Sequence, residues 1–274
     1  MRRRISFTVE KNRVLVPVGE PCPFGCRYCY TRGGEVGLSK VKVTDILTPF
    51  QRFADATPFE TIQFGYDGDP FARPERGLAM LWQLAMMGKN VNFSTKALLE
   101  GPTIDALCQI QQMLESEGRT LSALVSLSCW DSSPWVEPHT PSPRERIVTI
   151  ANLKRSGIPV FIAVRPVLPH IPDSEYERIA EEGIRAGCDG LILGPLYADE
   201  HEQFVRFIPK TLLATVQSQK GIVPWSAHTP VWTRYEDTER LQKLLIMIER
   251  KGGRTFLSSA DAMAQFHQQK EEVA

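Results

Sequence analysis

Apolar runs typical of strands alternate about six times with stretches typical of helices between residues 13 and 195 of this 274-residue chain. The strand-like runs lie at residues 14–18, 61–64, 90–95, 121–128, 160–164 and 189–193. One of the helical stretches opens with Ser142-Pro143 and Glu145, which is a helix start signal. This alternation predicts βα units around a parallel sheet. Six such units can form either an open barrel or a doubly wound sheet.

The remainder of the chain, residues 196–274, is less regular. Its spacing of apolar residues predicts a helix over 238–251, a short strand over 255–257 and a final helix from Ser259. We therefore expect two parts. Residues 13–195 form the core α/β fold, and residues 196–274 form an α-rich C-terminal extension packed on it.

Charge and hydropathy exclude some classes of protein. Lys and Arg number 32, as do Asp and Glu, so the net charge is zero and no broad electrostatic footprint for nucleic acid is visible. No apolar run suits a signal peptide or a membrane span, so we expect no membrane partner. Three of the six cysteines are scattered and three are clustered, which is not a disulfide framework and predicts a cytoplasmic protein.

The clustered cysteines, Cys22, Cys26 and Cys29, fall within eight positions directly after the first strand-like run. Thiolates suit zinc, copper(I) or an iron–sulfur cluster. Three thiolates would leave one iron of a four-iron cluster free to bind a small molecule. A structural zinc site needs four ligands, and the first histidine in the chain is His139. We therefore favour a cluster over zinc, and over three cysteines without a metal.

Polar residues stand where several of the predicted strands end. In parallel α/β folds the site forms at the carboxyl ends of the strands. These positions are the cysteine loop, residues 66–69, 94–96 and 126–129, Arg165, and Gly194 with Pro195. Apolar packing alone does not require polar residues there, so we expect these positions to surround the site.

The spacing Cys22-x-x-x-Cys26-x-x-Cys29, with an aromatic residue at Tyr28, resembles the signature of radical S-adenosylmethionine (SAM) enzymes. The resemblance implies a [4Fe–4S] cluster on the three cysteines and SAM chelating the fourth iron through its amino and carboxylate groups. It implies that one electron cleaves SAM to methionine and a 5′-deoxyadenosyl radical, which abstracts hydrogen from a substrate. It also implies a partial (β/α)6 barrel of the TIM type, and an external one-electron reductant such as flavodoxin or ferredoxin.

Further stretches resemble the subgroup of spore photoproduct lyase and its DNA repair photolyase-like relatives. They are residues 26–32, 69–75 and 94–96, and a series of positions from Glu137 to Pro169. This resemblance implies that the substrate is a nucleic-acid lesion or a nucleotide. The neutral charge leaves a small molecule or a peptide as an alternative substrate. A second alternative is a non-enzymatic iron–sulfur or zinc protein that binds or senses.

The resemblance also assigns roles around the cofactor. The turn 66–69 takes the place of the Gly-Gly-Glu segment that meets the SAM amino group, so Asp67 or Asp69 would accept from that group. Lys96 would meet the SAM carboxylate. Residues at the end of the fourth strand would reach the ribose or the carboxylate. The full set of candidate cofactor-binding residues is Tyr28, Asp67, Asp69, Lys96, Ser126, Ser128 and Arg165.

Tyr30, Tyr66 and Cys129 are the candidate catalytic residues. Spore photoproduct lyase returns a hydrogen atom from a cysteine near the end of its second strand, and this chain has Tyr66 in that region and no cysteine. Cys129 is a possible substitute at the barrel mouth, the alternative being a buried small hydrophobe. Tyr28 and Tyr30 match positions of a radical relay. Much later in the chain, Trp225, His228 and Trp232 are three further candidates. They either cap the barrel or pack as part of its core.

Overall fold

The computed structural model describes residues 7–30, 41–198, 205–223 and 231–273, with side chains as far as residue 268. The strands of this part of the chain are β1 (Val9–Glu10), β2 (Arg13–Val16), β3 (Thr61–Phe64), β4 (Asn90–Thr95), β5 (Leu121–Ser126), β6 (Val160–Val164), β7 (Gly190–Leu193), β8 (Leu196–Ala198), β9 (Gln217–Ile222), β10 (Val231–Glu236) and β11 (Thr255–Phe256). Among the described residues they form an eight-stranded sheet and a three-stranded sheet.

The larger sheet has the strand order β1-β2-β3-β4-β5-β6-β7-β11. The pair β1 and β2 is antiparallel, and all other neighbouring pairs are parallel. The six strands β2 to β7 follow one another in chain order, whereas a doubly wound sheet reverses its order at a switch point. The sheet curls around an interior cavity, so the partial TIM-type barrel is confirmed.

Helices pack against this sheet, most of them on its outer face. The helices of the described chain are α1 (Val43–Ala56), α2 (Pro74–Ala85), α3 (Pro102–Ser116), α4 (Ser133–Val136), α5 (Pro143–Arg155), α6 (Asp173–Arg185), α7 (Lys210–Leu213), α8 (Thr238–Arg250) and α9 (Ser259–Val273). The helix start signal in the sequence is confirmed at α5. There the Ser142 hydroxyl accepts from the Glu145 amide at 3.3 Å, and the Glu145 carboxylate accepts from the Ser142 amide at 2.7 Å. Two unpaired backbone amides are satisfied in this way.

The C-terminal region contains a sheet that the sequence analysis did not predict. Strands β8, β10 and β9 pair antiparallel in that order. Every residue of β9 is exposed, so the strand has no apolar alternation that a sequence pattern could reveal. The short strand predicted over 255–257 is observed as β11, and it pairs with β7 in the barrel sheet. The division of the chain after residue 195 stays a prediction.

Helix α9 closes the amino-terminal end of the barrel. Met263 enters the interior, where its Sδ lies 3.1 Å from Ser122 Oγ and 3.4 Å from Asn92 Nδ2. Phe266 packs edge-on against Phe161, with ring centres 6.2 Å apart. The interior space therefore lies toward the carboxyl ends of the strands. Within the described chain, no helix combines the length and the apolar character that crossing a membrane requires.

Candidate active site

A cavity of about 600 Å³ occupies the barrel at the carboxyl ends of its strands. Its walls include most of the residues that the sequence analysis selected. These are Cys22, Cys26, Tyr28, Cys29, Tyr30, Tyr66, Asp67, Asp69, Lys96, Ser126 and Arg165. The floor and sides are completed by inward-facing strand residues such as Leu15, Gln63 and Ile192. Strand ends far apart in sequence therefore converge on one space, as parallel barrels require.

Backbone hydrogen bonds tie the cysteine loop to the segment around α4. The backbone amide of Arg27 donates to the Val136 carbonyl at 2.9 Å, and the side-chain Nε of Arg27 donates to the Trp135 carbonyl at 2.7 Å. The Cys29 amide donates to the Cys26 carbonyl at 3.1 Å, which closes a turn. Gly25 has a φ of 66°, a left-handed conformation that favours glycine. The loop is thus held in one position beside the cavity.

The three thiols fit a group that binds thiolates. Burial raises the pKa of Cys22 to about 11 and that of Cys26 to about 12, so these thiols need a cation at hand in order to ionise. Within the described ranges, no three His, Cys, Asp or Glu side chains converge as ligands of one ion. A four-iron cluster binds each thiolate to a different iron, so this absence does not bear on it.

A buried ionic network supports the cavity wall behind Tyr28. The carboxylate of Glu137 lies 3.2 Å from Lys96 Nζ and 2.6 Å from an Arg146 guanidinium nitrogen. Both Glu137 and Arg146 are fully buried. The Tyr28 hydroxyl contacts Glu137 and lies 3.1 Å from Ser128 Oγ. Arg146 also donates to the Ser126 carbonyl at 3.0 Å, which links the network to the end of β5.

The network holds its members in their charged forms. Burial acts to raise the pKa of Glu137, but Arg146 and Lys96 outweigh it and lower the pKa to about 2. Burial acts to lower the pKa of Lys96, but the adjacent Glu137 outweighs it and raises the pKa above its ordinary value. Lys96 therefore presents a protonated amine to the cavity. The sequence analysis included both residues only among the positions of resemblance from Glu137 to Pro169 and did not recognise this role.

The two aspartates of the turn 66–69 have different environments. Asp69 Oδ1 accepts from the Phe71 amide and the Thr95 hydroxyl, both at 2.9 Å, and its Oδ2 accepts from the Lys96 amide. Asp67 Oδ1 accepts from the Val18 amide at 2.8 Å, but Asp67 Oδ2 is buried with no hydrogen-bond partner among the described residues. Asp69 thus stabilises the turn, whereas the Oδ2 atom of Asp67 can still accept a hydrogen bond.

Replacing Asp67 with asparagine is expected to stabilise the cofactor-free protein at neutral pH. Burial raises the pKa of Asp67 from 3.8 to about 6, so the folded state loses stability as pH rises through this window. Removing the charge should restore about 2–3 kcal/mol above that window and little near pH 4, as thermal melts at both pH values would show. A wild-type pH profile in Asp67→Asn would contradict this expectation.

Asp69→Asn is the matched control for that experiment. Its carboxylate accepts three hydrogen bonds, and the amide cannot accept all of them with equal strength. Burial raises the pKa of Asp69 as well, so Asp69→Asn also removes an unfavourable charge at neutral pH, and we expect the loss of Tm to be largest near pH 4. A loss of Tm near pH 4 in Asp69→Asn but not in Asp67→Asn would separate a structural carboxylate from one whose free oxygen is available to a ligand.

Two predicted site residues lie away from the cavity. Ser128 and Cys129 are completely buried, and neither lines its wall. The chain turns inward after β5, where the Trp130 amide donates to Glu175 at 2.6 Å. Ser128 lies behind Tyr28, whose hydroxyl is 3.1 Å from Ser128 Oγ, and Cys129 packs in the hydrophobic core. The roles predicted for both residues stay predictions.

The candidate tyrosines are anchored in the cavity wall. The Tyr30 hydroxyl donates to the Tyr66 carbonyl, and its ring packs edge-on against Trp232 with centres 6.1 Å apart. Burial raises the pKa of both Tyr30 and Tyr66, so both stay protonated at neutral pH. Trp232 is buried, in agreement with a packing role. Trp225 and His228 lie outside the described residues, as do Thr31 and Arg32 of the resemblance.

Sequence comparison places the chain near proteins of unknown activity. No family model matches it. Uncharacterized proteins of Mycobacterium tuberculosis and Mycobacterium bovis are each 24% identical to it in an alignment of 196 residues that covers 64% of this chain and 56% of theirs. The chain thus spans about half the length of the curated relatives it matches.

Solved structures share the fold over most of the chain. A mutant of spore photoproduct lyase superposes with a TM-score of 0.69 at 16% identity, covering 94% of this chain and 81% of that one. Spore photoproduct lyase complexed with dinucleoside spore photoproduct gives 0.68 at 18% identity, covering 93% and 79%. Streptococcus suis SuiB bound to S-adenosylmethionine gives 0.60 at 12% identity, covering 90% and 50%.

These neighbours define the class of fold. Both spore photoproduct lyase and SuiB are radical SAM enzymes, and the partial barrel found here is the one they share. The resemblance to radical SAM enzymes, and to spore photoproduct lyase among them, is therefore confirmed at the level of the fold. The roles of individual residues stay predictions.

Proposed function

We propose that this chain is a radical SAM enzyme in which Cys22, Cys26 and Cys29 hold a [4Fe–4S] cluster. One observation carries the proposal: the three cysteines share a cavity of about 600 Å³ with Asp67 and Lys96. That volume lies in the range of small-molecule sites. The amino group of SAM needs a hydrogen-bond acceptor, and its carboxylate needs a cation. Asp67 and Lys96 provide these two groups in the cavity wall. When bound and reduced, the cluster supplies the electron that converts SAM into a 5′-deoxyadenosyl radical.

The chain's own residues bind and orient the cofactor. The unused Oδ2 of Asp67 accepts a hydrogen bond from an amino group, and the Lys96 ammonium donates to a carboxylate. Glu137 keeps Lys96 protonated and restrains its side chain, while Ser126 is available to a ribose hydroxyl. Inward-facing Leu124 and Ile192 make part of the wall apolar, which limits water around a reactive radical.

The class of substrate is inferred less directly than the cofactor. The resemblance to spore photoproduct lyase favours a nucleic-acid lesion or nucleotide, and the neutral charge keeps a small molecule or peptide as the alternative. With Cys129 buried away from the cavity, Tyr66 and Tyr30 are the candidates for returning a hydrogen atom. An external reductant such as flavodoxin or ferredoxin completes the proposal. All six cysteines are free thiols, which supports a cytoplasmic location.

Product analysis tests the reaction. Protein reconstituted with iron and sulfide under anaerobic conditions, then reduced with dithionite, should convert SAM to 5′-deoxyadenosine and methionine. Absence of 5′-deoxyadenosine together with one zinc per chain would contradict the proposal and favour the binding or sensing alternative. For the substrate, deuterated damaged dinucleotides, nucleosides and peptides should be compared by deuterium transfer into 5′-deoxyadenosine. The class that transfers deuterium is the substrate class.

A further inference from the structure

Arg165, which directly follows β6, has no carboxylate within ion-pair distance among the described residues, although Glu10 acts on it from farther away. Within the described residues it forms no ion pair and no hydrogen bond, although it lines the cavity. The other arginines of the cavity wall do have carboxylate partners, since Arg13 pairs with Glu10 at 3.0 Å and Arg234 pairs with Glu236 at 2.6 Å. A desolvated and unpaired guanidinium is costly. Its retention here points to a ligand that supplies the missing negative charge.

The position of Arg165 depends on a glycine in the neighbouring strand end. A Cβ atom added to Gly194 would lie 2.5 Å from Arg165 Nε and 3.1 Å from its Cγ. Gly194 follows β7, so the arginine side chain lies across a residue that has no side chain. Any other residue at position 194 would displace the guanidinium. The cavity is thus shaped to hold this cation.

Arg165 and Lys96 stand in different electrostatic surroundings. The charged groups that act most strongly on Lys96 are Glu137, Cys26 and Arg146. Those that act on Arg165 are Tyr197, Arg13, Glu10 and Tyr30, with no member in common. Arg165 therefore lies near Tyr30, which directly follows Cys29, but among none of the charged groups that act most strongly on Lys96. A charged ligand group that meets Arg165 is accordingly a different one from the group that meets Lys96.

The lysines and arginines of the cavity wall differ in whether they already have a carboxylate partner. Of the six that line the described cavity, Lys11, Arg13, Lys96 and Arg234 each pair with a carboxylate, whereas Arg165 does not. A guanidinium presents a planar fork of donors that matches the oxygens of carboxylate and phosphate groups. Such a fork in the wall of an otherwise mixed cavity selects for oxyanions over neutral groups.

We propose that Arg165 binds an oxyanion, a phosphate or carboxylate group, of the substrate. The assignment to a substrate rests on the proposed function, whereas anion binding by Arg165 does not. It replaces the contact with SAM that the family resemblance assigned to this residue. The substrate is accordingly an anionic molecule whose charged group meets Arg165.

Thermal melting of the full chain with sodium phosphate or sodium acetate, each matched in ionic strength by sodium chloride, tests the binding. The wild-type Tm should rise with at least one of the two anions. Arg165→Gln should lose that rise, and its Tm without anion should equal or exceed the wild-type value, because an unpaired charge has been removed. The control Arg185→Gln, on the surface of α6 beside Glu182, should respond as the wild type does. The anion that acts at the lower concentration identifies the group.

Three results would overturn the inference. The first is a wild-type protein that neither anion stabilises, and the second is an Arg165→Gln variant that responds like the wild type. The third is an Arg165→Gln variant that loses calorimetric SAM binding together with the anion response, which would assign the arginine to the cofactor. The melts need neither iron nor SAM. Anion stabilisation can therefore be observed even if no 5′-deoxyadenosine forms, and 5′-deoxyadenosine can form even if no anion stabilises the protein.

Discussion

Replacing Cys26 with alanine is expected to abolish cluster binding and, with it, all formation of 5′-deoxyadenosine. Cys26 lies in the middle of the motif, is 5% exposed and lines the cavity. With one thiolate removed, Cys22 and Cys29 remain, and no fourth cysteine lines the described cavity wall to take the place of Cys26. The brown colour of anaerobically reconstituted protein, its iron content and its 5′-deoxyadenosine yield should all fall to the background level.

Cys108→Ala is the matched control, because Cys108 is also a free, partly buried thiol but lies on α3, away from the cavity. Its colour, iron content and product yield should match the wild type. Equal loss in both variants would indicate general misfolding, which the Tm of each variant would reveal. Full iron content and full product yield in Cys26→Ala would refute the cluster assignment.

Replacing Glu137 with glutamine should destabilise the protein by about 3–5 kcal/mol, the usual cost of breaking a buried ion pair from one side. The change leaves Lys96 and Arg146 as two cations without their carboxylate in a buried place. A loss of this size corresponds to a fall in Tm of roughly 10 °C for a chain of this length. Because the pKa of Glu137 is lowered from 4.5 to about 2, the effect should be present above pH 4.5 and shrink as pH falls toward 2.

The same substitution at an exposed pair provides the comparison. Glu239 lies 2.7 Å from Lys243 one turn along α8, and both side chains are mostly exposed. Glu239→Gln should change stability by only about 0.3–0.5 kcal/mol, because solvent screens exposed pairs. If Glu137→Gln and Glu239→Gln shifted Tm equally, the network would have no special role in holding the cavity wall.

The features that the sequence predicted well are those with a local cause. Apolar runs and helical spacing reflect the burial of each element against its immediate neighbours, so six βα units were apparent and β2 to β7 appear in that order. The exposed strand β9 was missed because a strand without a buried face leaves no pattern. Chain order along a parallel sheet also explains why strand-end residues such as Asp67 and Lys96 meet in one cavity.

The sequence by itself determined the ligand chemistry, since three closely spaced thiols are brought together by the loop that contains them. Only the tertiary structure decided which contacts each of the other polar residues makes. Among the described residues, Asp67 Oδ2 has no hydrogen-bond partner, whereas both oxygens of Asp69 are used by the turn. Glu137 pairs with both Lys96 and Arg146, and Arg165 has no ion-pair partner in the part of the chain that the structure describes. The hydrogen-bond and ion-pair partners of a side chain are the groups that lie near it in space. Residues dozens of positions apart come near one another only once the partial barrel has folded.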